Sequence, residues 1–336
     1  MKIVIADYPE SMMKSHQLEK KVLQAGLPGC QVVVFPYQDD RRTAFLEEIH
    51  DADALLTAFI KVDEEMLRAA PQLKVVSINA TGYDNVDLTA ARQHGVAVCP
   101  VGEYCTEDVA EFTITTMLAL VRNLKAYLSD VDHQHEWRYD YAQPNCRLSN
   151  MTLGIFGLGK IGRAVAKKAA ALGMTVIAND PFISKENYAK VADRVRLTSV
   201  NDILAHADVI TNHMNLNDSN HHFFTADRFQ KMAKHPYFLN MARGAEVNED
   251  DLVQALDERQ IKGAALDVLA TEFPDLAHNP LVGRENVLVT PHTAFYSTDS
   301  VTALQRISCQ NIVDYLTGHP EKVFKLVVNP QEGGEQ

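Results

Sequence analysis

The sequence predicts an α/β protein built as two doubly wound lobes, each with a parallel sheet. Three observations predict it. The chain has 336 residues, enough for two cores at about 100 to 200 residues per domain. Short β-branched runs alternate with segments of helical spacing, and that alternation begins anew after one long helical stretch near the middle. Apolar residues make up 46% and charged residues 23%, a globular mix rather than a disordered one.

The first series of strands reads K-I-V-I-A at 2 to 6, Q-V-V-V-F at 31 to 35, A-D-A-L-L at 52 to 56 and L-K-V-V-S-I at 73 to 78. Helical spacing such as D-E-E-M-L-R-A-A at 63 to 70 lies between them. From Thr106 to Leu124 a single connecting helix is expected, with Thr106 as its N-cap and Glu107 and Asp108 placed to favour the positive end of its dipole. The second series starts with T-L-G-I-F and continues through a helix whose Ile161, Val165, Ala169 and Leu172 share one face. T-V-I-A-N-D follows, and then strands at 208–212, 237–241, 263–268 and 286–290. There is no internal repeat, and the E-G-G-E-Q end reads as disordered.

Composition excludes several partners. Lys and Arg number 32 against 44 Asp and Glu, a net charge of −12, so nucleic acid and anionic lipid are repelled on average. The five cysteines are odd in number and form no C-x-x-C pair, which fits neither a disulfide framework nor a thiolate zinc site. His221 with His222, and His133 with His135, have no carboxylate or thiolate companion at ligand spacing, so no metal is expected. The start has a four-residue apolar run, too short for a signal-peptide core. No apolar stretch approaches the roughly 18 residues of a membrane helix. A soluble, cytoplasmic protein is the expectation.

T-L-G-I-F runs straight into G-L-G-K-I-G, which places Gly157, Gly159 and Gly162 at a strand-to-helix turn. The three glycines answer to a tight turn, a close approach of pyrophosphate to the backbone, and tight packing of helix on strand. Lys160, Ile161 and Gly162 then open a helix whose positive end faces the phosphates. The next strand ends in Asp180, 23 residues after Gly157, near the spacing at which an acid meets the adenine ribose diol. Asp180 can alternatively serve as a turn residue before Pro181. A carboxylate there favours NAD over NADP, because it accepts from a free 2′-hydroxyl and repels a 2′-phosphate. The second lobe is accordingly read as a Rossmann cofactor domain.

A dinucleotide site needs further groups to bind an anionic substrate and to move a proton. Three strand ends offer them: Arg243 in L-N-M-A-R-G, Glu272 after A-L-D-V, and His292 in V-T-P-H-T-A-F-Y. Ligands of open α/β sheets bind at the carboxyl ends of strands, so the three can converge. Singly each is an ordinary surface or turn residue; their joint placement carries the reading.

Together G-L-G-K-I-G, N-M-A-R-G, A-A-L-D-V with Glu272, and T-P-H-T-A resemble the D-isomer-specific 2-hydroxyacid dehydrogenases. The resemblance covers nearly the whole chain, because A-T-G-Y-D-N-V-D at 80 to 87 and Y-C-T-E-D-V-A-E at 104 to 111 are similar to that family's substrate loop and interdomain helix. It implies that Arg243 holds the substrate carboxylate and polarises the 2-oxo group, that His292 carries the proton, and that Glu272 hydrogen-bonds His292 and favours its charged form. By the same resemblance Asp267, Thr106 and His213 contact the cofactor, while Ala80, Thr81, Gly82, Tyr104 and Phe295 receive the substrate. It further implies a Rossmann domain, 103–298, inserted in a flavodoxin-like substrate domain formed by 1–102 and 299–336, and a homodimer.

Two departures stand out. Relatives usually have a His-x-Pro turn where this chain has N-H-M-N at 212 to 215, with Asn215 in place of proline, and Asn179 stands where an aromatic is frequent. Phe59, Tyr104, Trp137, Phe295 and Tyr296 are candidates to line an apolar pocket. T-A-F-Y resembles the branch acting on D-lactate and branched acids, whereas Y-C-T-E-D-V-A-E is closer to the phosphoglycerate or hydroxypyruvate branch. The expected activity is therefore interconversion of a small D-2-hydroxy acid and its 2-oxo acid. The alternatives are a glyoxylate or hydroxypyruvate reductase, and an NAD-sensing binding protein of the same fold. Formate oxidation pairs the histidine with glutamine, and Glu272 stands here instead.

Overall fold

V-V-S-I at 75 to 78 and V-I-T-N at 209 to 212 are buried at every position, as strands covered by helices on both faces must be. The computed structural model describes residues 1–330, so the expectation for the E-G-G-E-Q end lies outside the described residues. In chain order the elements are β1 (Lys2–Asp7), α1 (Gln17–Gly26), β2 (Gln31–Pro36), α2 (Arg42–Ile49), β3 (Ala54–Thr57), α3 (Glu64–Ala69), β4 (Val75–Ile78), α4 (Leu88–Gln93) and β5 (Ala97–Pro100). Next come α5 (Thr106–Val121), α6 (Leu124–Gln134), β6 (Thr152–Phe156), α7 (Lys160–Ala171), β7 (Thr175–Asn179), α8 (Lys185–Ala189), β8 (Val195–Leu197) and α9 (Val200–His206). The rest are β9 (Val209–Asn212), α10 (Ala226–Gln230), β10 (Tyr237–Asn240), α11 (Glu249–Asp257), β11 (Gly263–Leu266), β12 (Val287–Val289) and α12 (Thr298–Leu316).

The chain forms two compact units, one from Met1–Tyr104 with the described residues from Ser297 on, the other from Cys105–Tyr296. The first holds a parallel sheet in the order β2-β1-β3-β4-β5. α12 returns to it: Cys309, Ile312 and Val313 join Ile3, Leu23 and Leu56 in one core, and the Ser77 hydroxyl donates to the Ser308 carbonyl at 2.8 Å. At the end of β1 the Asp7 carboxylate accepts from the backbone N–H groups of Ala58 and Phe59, and burial pushes its carboxyl up to about 6.

The second unit holds a seven-stranded parallel sheet in the order β12-β11-β10-β9-β6-β7-β8. Its strand order reverses between β6 and β9, so the crevice for a ligand opens at their carboxyl ends. Phe156, Phe224, Phe229 and Phe238 fill the core beneath with edge-to-face contacts.

Four expectations need correction. The stretch from Thr106 to Leu124 is two helices, because Asn123 takes φ +50° and breaks the ladder between α5 and α6. Thr106 is the first helical residue; Cys105 holds the N-cap position and makes no side-chain cap. On α7, Val165 and Ala169 are fully buried, but Leu172 lies past the helix end and is 40% exposed. Two short strands, β5 and β8, were absent from the sequence reading; β8 has only three residues and carries exposed Arg196, which weakens any period-two signal.

Candidate active site

The glycine loop follows from backbone sterics. Gly157 takes φ +85°, and a Cβ built on it would lie 2.6 Å from the His213 carbonyl oxygen, so the loop after β6 touches the loop after β9 backbone to backbone. A Cβ on Gly162 would lie 2.1 Å from the Gly157 carbonyl oxygen, which is how α7 sits so close to its strand. Gly159 differs: nothing lies within 4 Å of its Cβ position, and as the N-cap of α7 it offers no side chain to the helix end. A cradle open at one glycine and closed at the other two fits a pyrophosphate on the positive end of the helix. Lys160 is exposed and Ile161 half-buried beside it.

Asp180, half-buried just past β7, accepts from the Leu158 N–H at 2.8 Å and from the Phe182 N–H at 2.9 Å. Its carboxylate thus closes the glycine loop and also makes the Asx turn, and each oxygen keeps a lone pair for a ribose hydroxyl. His213 continues β9, donates its N–H to the Phe156 carbonyl at 2.8 Å, and has Nε2 3.0 Å from the Thr211 hydroxyl. Its Nδ1 is buried without a partner, and burial depresses the imidazole to about 3, so the ring is neutral near pH 7. Thr106 opens α5 in the same unit, half-buried.

Arg243, Glu272 and His292 follow β10, β11 and β12, three neighbouring parallel strands, and so emerge at one edge of the sheet. His292 Nδ1 lies 2.8 Å from Glu272 Oε2, with side chains 27% and 36% exposed. Arg243 is half-buried, and its Nη1 donates to the Ala242 carbonyl at 2.9 Å. A Cβ on Gly244 would fall 1.8 Å from the Leu269 carbonyl oxygen, so the Arg243 loop runs directly against the segment leading to Glu272. No other residue fits at that crossing.

Asp267 is 2% exposed and its carboxylate serves the next loop: it accepts from the Thr290 hydroxyl at 2.6 Å and from the N–H groups of Thr293 at 2.9 Å and Ala294 at 2.8 Å. The His292 N–H donates to the Asp267 carbonyl at 2.8 Å. Burial holds the carboxyl of Asp267 above the usual range against those hydrogen bonds. His292 itself sits at φ +48°, fixed from both sides.

Sequence reasoning missed a buried polar cluster beneath these loops. Asn212 Nδ2 donates to Glu246 Oε2 at 2.7 Å and to Asn240 Oδ1 at 3.2 Å, and Asn220 Nδ2 donates to Glu246 Oε1 at 2.8 Å. Asn240 Nδ2 in turn donates to the Arg243 carbonyl at 2.9 Å. The available signal was composition: Asn212, Asn240 and Glu246 stand in runs that are otherwise core.

Of the aromatic candidates, Phe295 is half-buried with its ring edge-on to His292 at 6.3 Å between centroids. Tyr296 is 59% exposed and Trp137 is 91% exposed, so within this chain Trp137 lines no pocket; it follows α6 on a segment held by an ion pair between Arg138 and Asp130. Ala80, Thr81, Gly82, Phe59 and Tyr104 belong to the first unit; Phe59 and Ala80 follow the carboxyl ends of β3 and β4, and the Ala80 carbonyl accepts from the Val101 N–H at 3.0 Å. Asn179 donates to the Thr198 carbonyl at 2.7 Å, tying β7 to the segment after β8. Among the described residues no group of three or more His, Cys, Asp or Glu side chains can hold a metal ion, and no helix is long and apolar enough to cross a membrane.

Residues 114–294 match the model of the D-isomer specific 2-hydroxyacid dehydrogenase NAD binding domain. The chain is 32% identical over 285 residues to a hydroxypyruvate reductase of Blautia hydrogenotrophica, covering 83% of this chain and 86% of the reductase. It is 32% identical over 313 residues to a glyoxylate reductase of Thermofilum pendens, covering 90% and 91%. Among solved structures, D-lactate dehydrogenase of Aquifex aeolicus complexed with NAD and lactic acid superposes with a TM-score of 0.85 at 25% identity, covering 97% of this chain and 99% of that one.

Proposed function

Because the chain belongs to the D-isomer-specific 2-hydroxyacid dehydrogenases, NAD-dependent oxidoreductases, we propose that it interconverts a two- or three-carbon 2-oxo acid and its D-2-hydroxy acid, with Arg243, Glu272 and His292 as the reacting set. The observation that carries this reading is the 2.8 Å contact of His292 with Glu272 on the strand end next to that of Arg243. When bound, the reduced nicotinamide supplies the hydride for C2 of the oxo acid. Arg243 pairs with the substrate carboxylate and draws charge from the 2-oxo group, which a planar guanidinium with several N–H donors can do at once. Glu272 engages Nδ1 of His292, so Nε2 is the atom that delivers the proton to the developing alkoxide and takes it back in oxidation. Gly157, Gly159, Gly162 and the start of α7 hold the pyrophosphate, and Asp180 the adenine ribose.

The division of labour we infer gives NAD to the second unit and the acid to the loop of Ala80, Thr81 and Gly82 in the first, with Tyr104 and Phe295 toward its side chain. The substrate size rests on the hydroxypyruvate reductase, the glyoxylate reductase and the D-lactate dehydrogenase named above, which act on acids of two or three carbons. A homodimer is supported by the apolar side chains exposed on and after α6, Leu124, Leu128, Val131, Trp137 and Tyr139. The absence of a disulfide among the five cysteines of the described residues supports a reducing, cytoplasmic setting. The test is NADH oxidation against glyoxylate, hydroxypyruvate, pyruvate and 2-oxoisocaproate, with His292→Ala and Arg243→Ala. Loss of the proton carrier lowers kcat on the order of 10² to 10⁴. Turnover unchanged in His292→Ala refutes the assignment, and absence of turnover with NADH-dependent self-association favours a sensing role.

A further inference from the structure

The missing proline at Asn215 leaves a mechanical question that the buried cluster answers. A His-x-Pro turn stiffens its loop through the ring of proline. Here the loop after β9 is held by side chains: the Asn215 carbonyl accepts from Asn217 Nδ2 at 2.9 Å and Asn220 Nδ2 at 3.0 Å, and the Asn217 N–H donates to Asn220 Oδ1 at 2.7 Å. Asn220 then passes the load to Glu246, which is fully buried. The other oxygen of Glu246 takes Asn212, the residue immediately before His213. The backbone repeats the pattern, because the His222 and Phe224 N–H groups donate to the carbonyls of Ala245 and Glu246 at 2.8 and 2.9 Å.

Glu246 stands three residues after Arg243, in the single tight turn Gly244–Glu246 that follows the arginine. One carboxyl group therefore joins two loops, the one carrying His213 over the glycine cradle and the one carrying Arg243. We propose that Glu246 is a positioning residue that sets cofactor and oxo-acid binding in common register, doing with hydrogen bonds what proline does elsewhere by covalent stiffness. Its side chain has two acceptor oxygens for two amide donors, so glutamine satisfies only one of them and turns a donor toward the other. Leucine satisfies neither and leaves Asn212 and Asn220 each without one partner.

The inference rests on Arg243 binding the oxo acid, but half of its test does not. NADH affinity is measured by nucleotide fluorescence without turnover, and KM and kcat for the oxo acid by NADH oxidation, on the full chain bearing E246Q, E246L or N220A. In E246Q the NADH Kd and the oxo-acid KM rise together, each about three- to tenfold as expected for one lost buried hydrogen bond, while kcat changes less. E246L moves both further. N220A loosens the cofactor-side loop alone and raises the NADH Kd with little change in KM. A carboxyl group that merely fills space lowers the thermal midpoint and leaves both constants within twofold, which overturns the proposal. If E246L does not fold, E246Q and N220A decide by the same criterion. If the wild type reduces no 2-oxo acid, the functional reading fails while the NADH arm still tests the linkage.

Discussion

Replacing Asp267 with asparagine isolates how the proton-carrying loop is held. The carboxylate accepts three hydrogen bonds from Thr290, Thr293 and Ala294, two of them from buried or half-buried backbone N–H groups. An amide keeps one oxygen, so whichever way it turns, its NH₂ faces at least one N–H donor. A hydrogen bond to a charged group is worth about 1.5–3 kcal/mol, and an N–H left without a partner costs in the same range. A net loss of about 2–3 kcal/mol, expressed at the step where His292 must be in place, lowers kcat/KM by about 30- to 150-fold. The assay is NADH oxidation with the best 2-oxo acid, alongside NADH affinity and the thermal midpoint. Although the resemblance implies that Asp267 contacts the cofactor, its side chain is 2% exposed and occupied by the loop, so the NADH Kd should stay within threefold. A D267N enzyme with kcat/KM within threefold of wild type, or one whose defect lies wholly in NADH affinity, refutes the reasoning.

Three further outcomes follow from the same geometry. Gly159→Ala keeps the thermal midpoint within about 2 °C because open space surrounds its Cβ position, yet raises the NADH Kd at least about tenfold, whereas Gly162→Ala meets the Gly157 carbonyl and loses stability as well; calorimetry and fluorescence titration separate the two. Asp180→Ala shifts the ratio of kcat/KM for NADPH over NADH upward by at least about tenfold, because a carboxylate facing a 2′-phosphate is a like-charge juxtaposition, and an unchanged ratio removes Asp180 from the ribose site. Asp7 has a carboxyl raised from 3.8 to about 6, so its neutral form is favoured in the folded state; the associated stability is present below pH 4 and lost as pH rises through about 6, up to about 3 kcal/mol. Urea midpoints of wild type and Asp7→Asn should therefore converge or cross between pH 4 and 7.5, and parallel profiles count against it.

Much of the sheet architecture was readable because runs such as V-V-S-I and V-I-T-N are rich in β-branched residues and carry no charge, a signature that survives without tertiary information. β8 was not readable: three residues with a charged centre give no period. The break at Asn123 has no glycine or proline to announce it, and it is set by tertiary ties instead, Asn123 Nδ2 to the Gln143 carbonyl and Lys125 Nζ to the carbonyls of Arg284 and Val287. At the site, chemistry-bearing residues in short motifs drew attention to Arg243, Glu272 and His292. What holds them did not, because Asn212, Asn220, Asn240 and Glu246 lie on four different segments and acquire meaning only when β9 and β10 lie side by side.

The left-handed backbone at His292 constrains more than its own conformation. Pro291 precedes it, Asp267 grips the residues on both sides, and the N–H of the histidine is shared between the carbonyls of Asp267 and Thr290. Mobility of this hairpin-like clip was therefore surrendered when the polypeptide folded, leaving little entropy to lose when a small acid arrives. Libraries that vary this position will find asparagine easier to accommodate than valine or isoleucine, for reasons of torsion alone and irrespective of chemistry.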